Sequence, residues 1–398
     1  MEPSKSQPSR ETVSTAKGLL EQQFGGPVRL GEGHNLRGSN RSKVYRFSVL
    51  DGPSGTPTSV IVKQAHSTAD AVYDPNKPGL IAWTFFNEWA SLQFLSHLID
   101  EATGLPFSPR FYGGDRTIGV LVMEDLGDAK RMDHYLLADD PAAAEILLVT
   151  FAATHGRLHA LMAGLYTEFT RIRDPLGAIS IGTDEFTYEW FASVLYQVAE
   201  TVGITPAPGV DAELAVLKAS MQNPGPFLTF FQRDSCPGNC LYIDDKVRLI
   251  DFEGGMLGHA LVGGVYGRIH FPTCSCVFRM PERIPLRMEA AYRAELIKGC
   301  PAAADDTLFY RAVVEACAFW MLDLYQSFPL SKLLQKDFMV EGTTVRQRLL
   351  MRSELLMQAT EEFRHLEAIG ATVQAIATKL RDLWPEAAFM PYYPAFRS

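Results

Sequence analysis

The first third of the chain alternates apolar and polar residues, which is the pattern of β-strands with one buried face. The stretch VRLGEGHNLRGSNRSKVYRFSVL (28–50) alternates on both sides of a Gly, Asn and Ser cluster, and it predicts two strands joined by a loop. SVIVKQA (59–65) and IGVLVMED (118–125) predict two further short strands. A β-rich region is therefore expected before residue 127.

Helical spacing dominates the rest of the chain. A first helix is predicted from about residue 81 to 99, and from about residue 132 apolar residues recur at helical spacing, as in 142–164 and 307–328. The 398 residues suggest about two domains. The pattern predicts an α+β protein with a small β-rich N-terminal lobe (1–127) and a large, mainly helical C-terminal lobe (128–398).

Composition narrows the classes of partner. The chain is 47% hydrophobic and 21% charged, which is typical of a soluble globular protein, and its formal charge of -9 argues against nucleic acid as a partner. The polar amino terminus lacks a signal-peptide core, and no run approaches the roughly 20 apolar residues that cross a bilayer. We expect a cytoplasmic protein without a membrane partner. Its oligomeric state is not readable from the sequence.

Lys63 and Glu88 form the first candidate pair. Lys63 ends an apolar strand on the face of Ile61, where an ammonium group needs an anionic partner unless it extends to solvent. Glu88 shares a helical stripe with apolar residues, which places a carboxylate among buried side chains unless the stripe is shifted by one residue. The members of that stripe are Ile81, Phe85, Glu88, Leu92 and Leu95. We predict that Glu88 pairs with Lys63.

Acidic and amide side chains follow the apolar strands of FFQRDSCPGNCLYIDDKVRLIDFEGG (230–255). Asp234 follows one predicted strand, and Asp251 follows the second strand of a predicted hairpin. Asn239 and Asp251 offer the hard oxygen ligands that Mg²⁺ prefers. Asp234 remains as a base that accepts a hydroxyl proton during attack on a phosphate. The Gly- and Ser-containing loop near residue 38 lacks the P-loop pattern, but its amides and hydroxyls can approach phosphate oxygens.

The spacing from Asp234 to Asn239, followed by IDFE (250–253), resembles the aminoglycoside phosphotransferase and choline kinase-like family, whose fold is similar to that of protein kinases. LVMEDLG (121–127) resembles the hinge of that family, and the likeness extends over about residues 28–260. Family members usually carry His and Gly where this chain has Gln232 and Arg233, which marks an atypical member.

The resemblance implies ATP and Mg²⁺ as cofactors. Lys63 would contact the α- and β-phosphates with Glu88 orienting it, Asp234 would be the catalytic base, and Asn239 and Asp251 would hold Mg²⁺. The remaining nucleotide contacts that it implies are Ser39, Asn40 and Ser42 near the phosphates, and Met123, Glu124 and Asp125 at the hinge. The activity implied is transfer of the ATP γ-phosphate to a hydroxyl group of a small acceptor, such as an aminoglycoside, another antibiotic, an amino alcohol or a sugar.

The cysteine and histidine residues are better explained by packing in the protein interior than by binding of a metal ion. The chain has no CxxC pair, and the spacing of Cys274 and Cys276 would place their side chains on opposite faces of a strand. His155 and His159 lie one helical turn apart, but no acidic third ligand accompanies them. His259 and His270 are candidates for the substrate pocket by position alone.

Three other functions compete with a small-molecule kinase. A nucleotide-binding pseudokinase that acts as a sensor or interaction module is disfavoured by the intact set of Lys63, Glu88, Asp234, Asn239 and Asp251. A protein kinase is disfavoured because no activation segment ending in Ala-Pro-Glu follows Asp251. A purely structural helical protein would not need acids at the ends of strands.

Overall fold

The computed structural model describes residues 7–36, 38–39, 41–68, 71–77, 79–177, 188–387 and 389–397. The chain forms two compact units. The first unit comprises Met1–Ala129, Thr167–Ile181 and Arg248–Gly255, and the second comprises Lys130–Tyr166, Gly182–Val247 and Met256–Ser398. The domain boundary expected after residue 127 stays a prediction.

The described residues form helices α1 to α13 and strands β1 to β14. The helices are α1 Arg10–Phe24, α2 Leu80–Leu95, α3 Met132–Leu136, α4 Pro141–Leu161, α5 Tyr166–Arg173, α6 Tyr188–Thr201, α7 Val210–Gln222, α8 Ala260–Gly264, α9 Arg283–Leu296, α10 Asp306–Ser327, α11 Leu330–Gln335, α12 Val345–Phe363 and α13 Glu367–Leu383. The strands are β1 Arg29–Asn35, β2 Ser42–Asp51, β3 Ser59–Ala65, β4 Ile99–Asp100, β5 Leu105–Pro106, β6 Phe111–Asp115, β7 Val120–Glu124, β8 Lys130–Arg131, β9 Leu228–Phe231, β10 Cys240–Ile243, β11 Lys246–Leu249, β12 Met256–His259, β13 Met339–Val340 and β14 Thr343–Thr344.

A five-stranded antiparallel sheet, in the order β1-β2-β3-β7-β6, forms the centre of the first unit. The strands predicted from alternation correspond to β1, β2, β3 and β7. In β3, Val60 and Val62 are buried on the face that α1 covers, so Ile61 and Lys63 share the other face. The core on the α1 side contains Ala16, Leu20, Val28, Tyr45, Phe47, Val60, Val62, Val120 and Val122.

Helix α2 carries the stripe that includes Glu88. All five predicted members of this stripe are buried, Glu88 among them at 3% exposure. The helix ends at Leu95, earlier than the predicted end near residue 99, because Ile99 pairs with Pro106 in the short β4–β5 ribbon. The predicted stripe is therefore confirmed, whereas the predicted extension of the helix to about residue 99 is wrong.

The second unit is mainly helical. The long helices α10 and α12 bury most of their residues, and the Trp320 indole on α10 donates to the Val262 carbonyl at 2.8 Å. Two short antiparallel pairs, β9 with β12 and β8 with β10, lie among these helices. The predicted hairpin turn between β10 and β11 contains Asp244 and Asp245, both at positive φ as type I′ turns require. A β-rich first unit and a mainly helical second unit confirm the predicted α+β class.

Within the described ranges, no single helix has both the length and the apolar composition of a membrane span. The helices Pro141–Leu161 and Tyr166–Leu176 pass that test only as a bent pair.

Candidate active site

Three of the predicted site residues meet in the first unit, and we call Lys63, Glu88 and Asp251 the lysine cluster. The Lys63 Nζ atom lies 2.5 Å from Glu88 Oε2 and 2.7 Å from Asp251 Oδ1. The side chains of Lys63 and Glu88 are 12% and 5% exposed, whereas that of Asp251 is 38% exposed. The predicted pairing of Lys63 with Glu88 is present, and Asp251 is a second anion on the same ammonium group.

Burial and charge oppose one another in the lysine cluster. Burial alone would lower the pKa of Lys63, but the carboxylates of Asp251 and Glu88 raise it above its ordinary value. Burial raises the pKa of Glu88 to about 7, although Lys63 acts in the opposite direction. The pKa of Asp251 is lowered, because the attraction of Lys63 outweighs the effect of burial. Lys63 is therefore a buried cation with one firmly ionised partner.

The backbone at Asp251 takes a conformation that few residues adopt. Its φ of 62° lies in the left-handed region, which Asp tolerates better than most non-glycine residues. The preceding strand is fixed by a hydrogen bond from the Leu249 amide to the Phe107 carbonyl, 2.8 Å long. Backbone strain of this kind is often retained at functional sites, which is consistent with the predicted role of Asp251.

The loop between β1 and β2 carries the hydroxyl groups predicted to lie near phosphates. Ser39 Oγ accepts from the Arg41 amide at 3.1 Å and lies 3.3 Å from Ser42 Oγ. A Cβ atom on Gly38 would overlap the Ser42 carbonyl, so only glycine allows this loop geometry. Arg41 also forms an ion pair with Glu253, which the sequence did not predict. Asn40 lies outside the described residues.

The predicted hinge residues end β7 and continue beyond it. Met123 is buried in the sheet opposite Ile61. The Glu124 carboxylate accepts from Arg248 and from the Arg110 amide, both at 3.0 Å. Asp125 forms an ion pair with Arg46 at 2.8 Å. The acidic side chains of this segment therefore have protein partners, which fits the expectation that backbone groups would meet an adenine.

The segment Gln232–Asn239 follows β9 in the second unit, and we call it the Asp234 loop. Gln232 is buried at 1% exposure, and Arg233 has a φ of 65°. Glycine adopts this left-handed conformation without strain, whereas a residue with a Cβ atom adopts it at a cost. A 3₁₀ turn at Pro237–Asn239 closes the loop, with the Asn239 amide donating to the Cys236 carbonyl at 2.9 Å.

Both oxygens of the Asp234 carboxylate are hydrogen-bonded. The Thr273 hydroxyl donates to Oδ1, and the Asn239 side-chain amide donates to Oδ2 at 3.0 Å. The same Asn239 nitrogen lies 3.0 Å from the Asp234 carbonyl. Because the amide nitrogen is directed to Asp234, the amide oxygen is the end of Asn239 that is left for a cation. Asp234 and Asn239 are thus in direct contact within one loop.

The cysteine prediction needs a correction. Cys274 and Cys276 were expected on opposite faces of a strand, but their Sγ atoms lie 3.0 Å apart. The reason is that this segment forms turns and bends, so the two-residue period of a strand does not apply. A contact with the Cys274 thiol and burial raise the pKa of the Cys236 thiol. Free thiols with raised pKa values are poor nucleophiles, which agrees with a packing role.

The four histidines of interest are buried and bonded within the second unit. His155 Nδ1 lies 3.0 Å from the Phe151 carbonyl, and His159 Nδ1 lies 2.8 Å from the Tyr292 hydroxyl. His259 caps α8, and His270 accepts from the Met280 amide at 3.1 Å. Burial lowers the pKa values of His155 and His259 to about 4. These contacts give the histidines structural roles.

Candidate ligands for a metal are few in the residues that the structure describes. These residues contain no group of three or more His, Cys, Asp or Glu side chains arranged to hold an ion. The oxygens of Asn239 and Asp251 have the hard-ligand chemistry that suits Mg²⁺, which commonly takes one or two protein ligands and completes its shell with water and phosphate. Each of these two side chains therefore has, by itself, the chemistry of a Mg²⁺ ligand.

The sequence missed Thr273, Tyr266 and Arg41 as residues of the site. Thr273 and Tyr266 lie in the second unit, where the Tyr266 hydroxyl donates to the Arg233 carbonyl at 2.6 Å. Arg41 lies in the first unit beside Glu253. Thr273 and Tyr266 belong to no recognisable motif, whereas Arg41 lies within the loop of Ser39 and Ser42, where nothing in the sequence indicated its pairing with Glu253.

Neither a protein-family model nor a curated protein matches the chain. Among solved structures, choline kinase from Cryptosporidium parvum is similar over 95% of this chain and 98% of its own, with 11% identity and a TM-score of 0.46. The ADP-bound aminoglycoside phosphotransferase APH(2'')-Ib is similar over 89% and 99%, with 13% identity and a TM-score of 0.43. Macrolide 2'-phosphotransferase MphH from Brachybacterium faecium is similar over 79% and 93%, with 12% identity and a TM-score of 0.42.

Proposed function

We propose that the protein is an ATP-dependent kinase that transfers the γ-phosphate to a hydroxyl group of a small molecule. The observation that carries the proposal is the lysine cluster. Lys63 is a buried cation whose ammonium group has three N–H donors, and Glu88 and Asp251 use two of them. The third donor is free to bind a phosphate oxygen, which is the role of this lysine in phosphoryl transfer.

Asp234 supplies the base in this proposal. A carboxylate has about four lone-pair sites, and Thr273 and Asn239 each donate to a different oxygen of this one. One of these sites accepts the proton of the attacking hydroxyl, and the two existing bonds hold the carboxylate in place. In the reaction, a bond forms between the acceptor oxygen and the γ-phosphorus, the bond to the leaving ADP oxygen breaks, and Asp234 takes the proton.

Asn239 and Asp251 would hold Mg²⁺, which supplies positive charge to the phosphate oxygens when it is bound. Asn239 contributes its amide oxygen, because its amide nitrogen is directed to Asp234. Asp251 contributes a carboxylate whose lowered pKa keeps it ionised.

The nucleotide contacts of this proposal lie in the first unit. In this proposal Ser39 and Ser42 approach the phosphates, and the backbone of Met123, Glu124 and Asp125 meets the adenine. Ser39 and Ser42 already face one another across the β1–β2 loop, so their hydroxyl groups lie close to the same region of space. Aminoglycosides, other antibiotics, amino alcohols and sugars are the acceptors that we propose to test.

The experiment is a screen of ATP consumption by the purified chain against a library of alcohols, amino sugars and antibiotics, with and without Mg²⁺. We expect at least one acceptor to accelerate the release of ADP in a Mg²⁺-dependent manner. If the protein bound ATP but transferred phosphate neither to any acceptor nor to water, the proposal would be contradicted and the nucleotide-binding pseudokinase would be favoured.

A further inference from the structure

Thr273 contacts the proposed catalytic base from an irregular segment. Its hydroxyl donates to Asp234 Oδ1 and lies 3.3 Å from the Tyr266 hydroxyl, which in turn donates to the Arg233 carbonyl at 2.6 Å. Tyr266 therefore touches both the backbone before Asp234 and the side chain that bonds to it. The hydroxyl groups of Thr273 and Tyr266 therefore connect the Asp234 carboxylate with the backbone carbonyl of Arg233.

Two buried arginines hold the segment that carries Thr273. Arg352 is 1% exposed and donates to the Pro272 carbonyl at 3.1 Å. Arg348 is 5% exposed and donates to the carbonyls of Cys274, at 3.1 Å, and of Ser275. Carbonyl oxygens on both sides of Thr273 are thus bonded to guanidinium groups of α12.

Burial of these two guanidinium groups is unfavourable in free energy, and their hydrogen bonds to backbone carbonyls offset that cost. Burial lowers the pKa of Arg348 and lowers that of Arg352 to about 10, because taking a guanidinium out of water disfavours its charge. Hydrogen bonds from such groups fix backbone carbonyls more firmly than neutral donors do. The segment 272–275 is therefore anchored on its inner side, while the Thr273 side chain is exposed.

We propose that Thr273 is a positioning residue for Asp234 and that Arg348 and Arg352 hold it in place; this inference rests on the proposed function. An unrestrained aspartate rotates about its side-chain bonds, so only a fraction of its conformers would meet the acceptor hydroxyl. Thr273 on one oxygen and Asn239 on the other select one conformer. The hydrogen bond from Thr273 to Asp234 is present in a chain whose two residues before the base are Gln232 and Arg233.

The experiment compares Thr273→Val, which keeps the shape and removes the donor, with Thr273→Ser, which keeps the donor. The assay is the slow hydrolysis of ATP with Mg²⁺, in which water takes the place of the acceptor alcohol. Thr154→Val is the matched control, because Thr154 is a buried threonine on α4 that bonds to the Thr150 carbonyl at 2.9 Å. Thermal melting of all variants checks that they fold.

We expect Thr273→Val to lower kcat about tenfold, since a hydrogen bond to a charged group contributes about that factor. The KM for ATP stays unchanged, because Thr273 acts through Asp234 and not on the nucleotide. Thr273→Ser restores most of kcat, and Thr154→Val leaves it as in the wild type. A loss caused by general loosening of the fold would not be restored by serine.

Several results would overturn the inference. Wild-type kcat in Thr273→Val would do so, provided that Asp234→Ala is inactive, and the proposed function would then stand alone. Equal losses in Thr273→Val and Thr273→Ser would remove the hydrogen bond from the explanation. Phosphate incorporated at Thr273 would make it an acceptor instead of a positioning residue. If the wild type and Asp234→Ala are equally inactive, both the proposed function and this inference fall.

Discussion

The lysine cluster and the Asp234 loop hold their carboxylates by different forces. In the lysine cluster, two acids share one buried ammonium group, and direct ion pairs of 2.5 and 2.7 Å fix all three side chains. In the Asp234 loop, a hydroxyl and an amide hold a carboxylate near the surface. Buried charge makes the first group intolerant of losing a partner, whereas the second can lose one hydrogen bond and remain folded.

Removal of the shared cation should have the largest effect among the tests of this comparison. Lys63→Met leaves Glu88 and Asp251 facing one another without a counter-charge. We expect the free energy of unfolding to fall by about 2 kcal/mol, less than for a fully buried pair because Asp251 is partly exposed. We expect ATP turnover to fall about 100-fold, since a cation on the phosphates is removed. Urea unfolding and ADP release measure the two effects.

The matched control for this prediction is Lys17→Met. Lys17 is half-exposed and pairs with Glu21 on the surface of α1, so both quantities should stay close to the wild type. If Lys63→Met and Lys17→Met behaved alike, the cluster would be an incidental ion pair.

The second test uses pH to separate Glu88 from Asp251. Burial raises the folded-state pKa of Glu88 from its ordinary value of 4.5 to about 7. The folded protein therefore binds a proton more tightly than the unfolded chain, and the stability that this provides is lost as pH rises from about 4.5 to 7. Glu88→Gln removes this titrating group, so the unfolding free energy of the variant should fall less than that of the wild type as pH rises across that window. Parallel curves for the two proteins in urea titrations at several pH values would contradict the assignment.

The smallest effect concerns the backbone of the Asp234 loop. Arg233 has a left-handed φ of 65°, which strains most residues other than glycine. Arg233→Gly and Arg233→Ala both remove the guanidinium group, but only glycine removes the strain. We expect the glycine variant to be more stable than the alanine variant by about 1 kcal/mol. Chemical unfolding of the pair measures the difference, and a more stable alanine variant would show that the loop has another conformation in solution.

The sequence predicted those site residues that lie in strands or helices, where the pattern of apolar residues is periodic. Strand alternation placed Lys63, and the helical stripe placed Glu88, because side-chain direction in these elements follows from spacing alone. The spacing from Asp234 to Asn239 supported the resemblance that implied a site role for each of them. Four strands of the sheet, β1, β2, β3 and β7, and the mainly helical second unit follow from the same two periods, whereas β6 was not predicted.

Irregular segments were beyond such reasoning. Thr273 is 39 residues from Asp234 and lies among turns, where no period relates spacing to direction. The same lack of period made the prediction for Cys274 and Cys276 wrong, since their sulfur atoms are in contact. Two buried arginines far along the chain donate to the carbonyls of this segment, and a single sequence does not show which carbonyls they bind.

The most direct test of the central claim is Asp234→Ala, compared with the wild type for phosphoryl transfer from ATP and for ATP binding. Asp139→Ala, an exposed position in the same unit, is the control. If Asp234 is the base, kcat falls at least about 100-fold while the Kd for ATP changes little, since the nucleotide contacts that we propose lie elsewhere. Turnover close to the wild type in Asp234→Ala would contradict the account.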